Sequence, residues 1–186
     1  MASLVARLHS DSAGAQEQPR SQELAAAELK GLVFDNLDNQ ADVARAGAIE
    51  PLVALLHSGS AGAQIEAAAT LGNLAFVNAE TSVAIARAGA IEPLVALVRS
   101  GSVGAQEQAA IALGNLAYEN ADIQEAIARA GAIEPLVALL HSGSAKAQEE
   151  AAAALGTMAH GNADNQEAVT RAGAIEPLVA LLRSGS

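Results

Sequence analysis

Cysteine is absent from the 186-residue chain, so no disulfide framework, thiolate metal site or thiol nucleophile is available. Tryptophan is absent too, and aromatic residues make up only 2%. The interior must therefore be built from Ala, Leu, Val and Ile, whose small side chains let helices approach closely in thin layers. Positive charge is scarce. A formal net charge of −11 argues against nucleic acid and anionic membrane as partners, because both need basic surface, and it favours basic partners. No apolar run reaches the roughly 18 residues of a membrane span. Residues 1–12 lack the basic start and long apolar centre of a secretory signal. A soluble cytoplasmic protein is the expectation. The 51% of hydrophobic residues excludes a disordered acidic tail.

What the chain does contain is a repeat. The block Arg-Ala-Gly-Ala-Ile-Glu-Pro-Leu-Val-Ala-Leu begins at Arg45, Arg87, Arg129 and Arg171, a constant step of 42 residues. A period near 40 without strand-like alternation points to units of two or three stacked helices. Taking residues 120–161 as one unit, Asn120 is a candidate N-cap for a first helix that ends before Gly131. Pro135 then lies in the first turn of a second helix, where a lost N–H costs nothing. That helix carries Leu136, Val137, Leu139 and Leu140 and stops at the turn from His141 to Ser144. A longer third helix is expected from Ala145 to Ala159, with Ala151, Ala152, Leu155 and Met158 as its apolar stripe.

The segment Gly-Ala-Ile-Glu-Pro-Leu-Val-Ala-Leu-Leu and the segment Ala-Leu-Gly-Asn-Leu-Ala at 112–117, where Thr70 replaces the leading Ala in the copy before, resemble the armadillo repeat family. The likeness covers nearly the whole chain. It implies an all-α, right-handed α-solenoid with three helices per 42-residue unit, in a single domain over residues 1–186. Full units are expected at 37–78, 79–120 and 121–162, with partial units at 1–36 and 163–186. Copies this similar mark either a recent duplication or a sequence engineered toward a consensus.

Both ends fall inside a unit. Residues 4–10 mimic the second-helix stretch 52–58, and His9 belongs to the series His57, Arg99, His141 and Arg183. The spacing from there to Leu29 exceeds that of other units by six residues, and Pro19 must break or restart a helix. Irregular packing or mobility is expected over residues 1–18. At the other end Leu178, Val179, Leu181 and Leu182 should expose an apolar face without a polar cap, which favours self-association into a homodimer or larger assembly.

The resemblance also implies a concave groove lined by third helices, with an Asn on each that bonds the backbone of an extended peptide. Asn73 and Asn115 match that position, whereas Gly31 and Thr157 depart from it. A side-chain amide suits the task because it offers both a donor and an acceptor. The Trp positions of the importin-type peptide binders are Ala27, Ala69, Ile111 and Ala153 here, so nuclear-signal recognition of that kind is not expected. One turn after the Asn stand Phe34, Phe76, Tyr118 and His160, which either floor the groove or plug the junctions between units. Glu66, Gln108 and Glu150 either face the groove and favour a basic peptide, or complement the helix dipole.

Catalysis has no support. The Ser residues lack an assembled His and acid, the Gly-Ser turns lack a phosphate-loop Lys, and no metal-spaced ligand set occurs. Glu50, Glu92, Glu134 and Glu176 recur beside Pro, in a pattern that fits capping. A non-enzymatic scaffold without cofactor or metal, binding a protein or extended peptide, is the expected function, with self-association through the ends as the alternative.

Overall fold

Four asparagines set the rhythm of the fold. In the computed structural model, which describes residues 2–8 and 18–184, the side chains of Asn36, Asn78, Asn120 and Asn162 accept from the N–H groups of Asn39, Thr81, Ile123 and Asn165. Each therefore satisfies an otherwise unpaired donor at a helix start. The helices begun this way are the first of each unit: α3 (Leu37–Arg45), α6 (Ala79–Arg87), α9 (Ala121–Arg129) and α12 (Ala163–Arg171). Each first helix ends at a glycine in the left-handed region, Gly47, Gly89, Gly131 or Gly173, with φ from 76° to 83°. The chain then swings into a second helix: α4 (Ile49–Ser58), α7 (Ile91–Ser100), α10 (Ile133–Ser142) or α13 (Ile175–Ser184). Between α6 and α7 the bend is 81°. Serine caps at Ser60, Ser102 and Ser144 start the third helices α5 (Ala61–Ala75), α8 (Val103–Ala117) and α11 (Ala145–Ala159).

Two further helices, α1 (Ala2–Leu8) and α2 (Gln18–Val33), take second- and third-helix places ahead of α3. The irregular packing expected over residues 1–18 does not hold for α1. Its Val5 and Leu8 are buried in the common core, since an apolar helix docked on α2 and α4 hides more surface than a loose strand. Pro19 lies in the first turn of α2, the one place in a helix that tolerates it. His9 and residues 10–17 fall outside the described residues. No described helix is long and apolar enough to cross a membrane.

The third helices stack on one another, α2 on α5, α5 on α8 and α8 on α11. Glycine makes this possible. A Cβ at Gly72 would stand 3.3 Å from Ala112 Cα, and one at Gly114 would stand 3.3 Å from Ala154 Cα. Backbones that close leave no room for a larger residue on either side. At the α2–α5 junction Lys30 replaces the glycine. The Thr70 hydroxyl lies 3.0 Å from the Ala26 carbonyl and 2.7 Å from that of Glu66, so one proton serves two acceptors across the seam. Gly156 holds the corresponding place on α11 and has nothing within 4 Å of a built Cβ.

The capping expected of Glu50, Glu92, Glu134 and Glu176 takes a weaker form. Ala48, Ala90 and Ala132 are the N-caps of α4, α7 and α10, and no side chain bonds there. The glutamates sit in the first turn, where a negative charge faces the positive end of the helix dipole. At the far end Leu178 and Leu181 are half-buried against the core, so the expected four-residue apolar patch is smaller there. Its exposed members are Val179 and Leu182, joined by Ile175.

Two stability tests follow from these contacts. Gly114→Leu should cost about 2 kcal/mol through overpacking, while Gly156→Leu should gain up to about 0.8 kcal/mol from helix propensity. Urea denaturation followed by circular dichroism separates them, and equal effects at both sites would contradict the close approach. Val77 holds φ 52°, where a β-branched residue is strained. Val77→Asn should therefore stabilise by about 1 kcal/mol, read as a higher denaturation midpoint.

Candidate binding groove

The third helices end in a way that builds a row of depressions. In α5, α8 and α11 the last turn tightens. Phe76, Tyr118 and His160 donate their N–H groups to the carbonyls of Asn73, Asn115 and Thr157, each at 3.3 Å. The next residue is left-handed, with φ 52° at Val77, 50° at Glu119 and 67° at Gly161, as is Asp35 after α2 with φ 50°. This turn throws the ring outward before the following Asn cap. Phe34, Phe76 and Tyr118 are 71%, 51% and 52% exposed. The rings therefore do not plug junctions between units, and at Phe76 and Tyr118 it is the extended C-cap that carries them off the packed face.

Three depressions repeat with the period of the chain. The first, about 190 Å³, is lined by Phe34, Asp35, Asn73, Phe76 and Asn115. The second, about 200 Å³, is lined by Phe76, Val77, Gly114, Asn115, Tyr118 and Thr157. Tyr118, Glu119, Ala153, Gly156, Thr157 and His160 line the third, which is about 450 Å³. Each combines a ring, the left-handed residue after it, and third-helix residues of later units. Of the ten groove candidates that the sequence supplies, these depressions gather seven: Phe34, Phe76, Tyr118, His160, Asn73, Asn115 and Thr157.

Asn73 and Asn115 differ in what they have left to offer. Because Phe76 N–H turns to Asn73 O, the Gly72 carbonyl is freed, and Asn115 Nδ2 donates to it at 3.0 Å. In α2 the helix keeps its regular bond from Phe34 N–H to Lys30 O at 3.2 Å, so no carbonyl is released for Asn73 in the same way. Among the described residues, no hydrogen bond engages the Asn73 side-chain amide. Asn115 retains one N–H and its oxygen. Thr157 donates its hydroxyl to Ala153 O at 3.0 Å within its own helix.

Glu66, Gln108 and Glu150 line none of the three depressions. Glu66 points across the seam to Lys30, whose Nζ lies 2.5 Å from its Oε2 in an ion pair. Glu150 sits half-buried on α11 beside Glu149 and Lys146 and within the field of Glu107. Burial first, then the Glu149 charge, pushes its carboxyl above the ordinary range. Lys146 opposes this and Glu107 adds to it.

The arrangement of three-helix units around stacked third helices has clear counterparts. A family model described as Armadillo/beta-catenin-like repeat matches residues 36–76, 78–118 and 120–160. The chain belongs to the armadillo repeat family. Among solved structures, an engineered protein crystallised as a structural-genomics target is 38% identical, with a TM-score of 0.89 over 98% of this chain and 73% of that one. A designed armadillo repeat protein in complex with the peptide (KR)4 is 32% identical, with a TM-score of 0.88 over 100% of this chain and 75% of that one. Computationally designed armadillo repeat proteins for modular peptide recognition reach 31% identity and a TM-score of 0.86, over 97% and 74% of the respective chains. No curated protein matches the sequence.

Sequence reasoning about this armadillo array missed Asp35, Val77 and Glu119 as groove residues. The signal was present in the alignment of copies: each directly follows a ring of the aromatic row, and the fourth copy has Gly161 there. A glycine at one copy marks a left-handed position in all of them.

The raised carboxyl of Glu150 makes a pH prediction. A folded-state pKa above the unfolded one means stability is fully present below the ordinary carboxylate range and is lost as pH rises through the folded value. Glu150→Gln should therefore raise the thermal midpoint at neutral pH, and its advantage should vanish near pH ~4. An advantage that stays constant between those pH values would contradict this assignment.

Proposed function

We propose that this armadillo array is a non-enzymatic scaffold that binds an extended, basic peptide along the row of depressions between Phe34 and His160. The observation that carries the reading is the periodic identity of those depressions, each with a ring, a backbone-directed polar group and a left-handed wall residue. An extended peptide is itself periodic, and a groove with a matching repeat meets it one subsite at a time. The Asn73 amide supplies a donor and an acceptor to a peptide unit, and Asn115 supplies what its bond to Gly72 leaves.

The wall residues suggest a pattern of preference. Asp35 and Glu119 place carboxylates at the first and third depressions, whereas Val77 makes the second apolar. A Lys or Arg at the outer subsites and an apolar side chain between them fits this order. Exposed rings beside a carboxylate also suit the long stems of Lys and Arg. The designed relative that carries (KR)4 supports a basic ligand for an array of this architecture.

Fluorescence anisotropy with a labelled (KR)4 peptide tests the reading. Saturable binding is expected, weakening as salt rises. The double change Asn73→Ala and Asn115→Ala should lower affinity at least about tenfold, the worth of one or two hydrogen bonds. Unchanged affinity in that variant would sink the groove reading.

A further inference from the structure

Side-chain amides link successive first helices at two of their three junctions. Asn78 Nδ2, at the start of α6, donates to Gln40 Oε1 of α3 at 3.4 Å. Asn162 Nδ2, at the start of α12, donates to Gln124 Oε1 of α9 at 3.3 Å, and Asn165 Nδ2 adds a bond to the Gln124 carbonyl at 3.4 Å. Between α6 and α9 the same positions carry other residues. Ser82 stands where Gln40 and Gln124 stand, and Ile123 stands where Asn165 stands. The Ser82 hydroxyl donates to Ala75 O at 3.1 Å, just as the two glutamines donate to the equivalent carbonyls of Val33 and Ala117. It is too short to reach the next unit as well. Asn120 accepts from the Ile123 N–H with its oxygen, and among the described residues its Nδ2 has no partner. Beside Ser82 lies a cavity of about 140 Å³, with Val77, Asn78 and Ser82 on one side and Tyr118 and Glu119 on the other.

The third helices at this junction are held fast by contrast. Gly72 meets Ala112 backbone to backbone, and Asn115 Nδ2 donates to Gly72 O at 3.0 Å. One layer is pinned and the other is not, so rotation about the pinned seam is the soft motion. We infer that the chain carries a hinge between α6 and α9, with the Gly72–Ala112 seam as its pivot. The neighbouring junctions are tied at both layers. Thr70 bonds Ala26 O and Gln40 bonds Asn78 at the first, while Gly114 meets Ala154 and Gln124 bonds Asn162 at the last. The array therefore moves as two blocks. Opening draws Val77 and Asn78 away from Tyr118 and Glu119, so the walls of the row of depressions change spacing at this one step. Resting on the groove reading, the consequence is a peptide site of two fixed halves joined by one adjustable step.

The chain has no cysteine, so nitroxide pairs can be placed at chosen sites in the full protein. Asp38, Glu80, Asp122 and Asp164 hold one equivalent position on the four first helices, and all are exposed. Changing them to Cys two at a time gives one labelled pair per junction. Packed helices lie about 8–10 Å apart, within range of dipolar line broadening in electron paramagnetic resonance. The pair Glu80→Cys with Asp122→Cys should show a broader distance distribution than the pairs on either side. Ser82→Gln supplies the missing amide and has the cavity to occupy, so it should narrow the middle pair to the width of its neighbours. Gln40→Ser removes the tie between α3 and α6 and should broaden the first pair. Circular dichroism confirms that the variants keep the parent's helix content. Equal widths at all three junctions of the parent would overturn the inference. So would a middle pair that stays broad with Ser82→Gln, or a first pair that stays narrow with Gln40→Ser. No peptide is present in the measurement, so failure of the groove reading leaves its outcome untouched.

Discussion

Two helix backbones approaching until only an alanine and a glycine fit between them is the contact on which the rest of this solenoid depends. Gly72 against Ala112 and Gly114 against Ala154 set the distance between successive third helices. Dispersion forces are collectively large when such surfaces match and fall quickly with a gap. This explains how a chain with 2% aromatics still builds a continuous buried core. Leu71, Leu113 and Leu155 pack beside the seam, and the first and second helices buttress it from outside. Where the glycine is lost, at Lys30, the seam changes character, and the Thr70 hydroxyl and the pairing of Lys30 with Glu66 hold it polar.

The same seam shapes the groove. In α5, α8 and α11 a tightened last turn frees one carbonyl, and after each of these helices, as after α2, the residue following the ring takes the left-handed region. The freed carbonyl of Gly72 takes the amide of Asn115, which ties adjacent units together at the groove floor. Buried amides do similar work one layer below. Gln124 Nε2 lies 3.3 Å from Ala117 O and 3.1 Å from Thr157 O, while its oxygen accepts from Asn162 at 3.3 Å. Polar groups that link units in this way restrict the sliding that an Ala-Leu interface alone would permit. Binding surface and stacking register are thus set by one set of backbone bonds.

Most of the fold was legible in the sequence because its signals are local and repeated. An Asn before a helix, a Gly after it, a Pro in a first turn and a 42-residue step each act within a few residues of where they stand. The helix expected from Ala145 to Ala159 has those bounds in the structure. The groove was legible only in outline. Which faces the rings present depends on the C-cap turn, and the turn depends on a non-glycine residue tolerating positive φ, which three of the four copies conceal.

By itself, then, the sequence determined the repeat, the three-helix unit, the armadillo resemblance and the list of residues from which a groove is made. Tertiary structure alone decided which of them remain available. Asn115 is partly spent on a carbonyl 43 positions earlier in the chain, while Asn73, with the same local sequence pattern, is not. Identical helices α10 and α13, save one residue, differ in exposure because one lies beneath a neighbour and the other does not. Local patterns specify helices and caps through bonds between near neighbours. Partnership across units depends on which carbonyl is released and which helix lies above, and neither is encoded within any single copy.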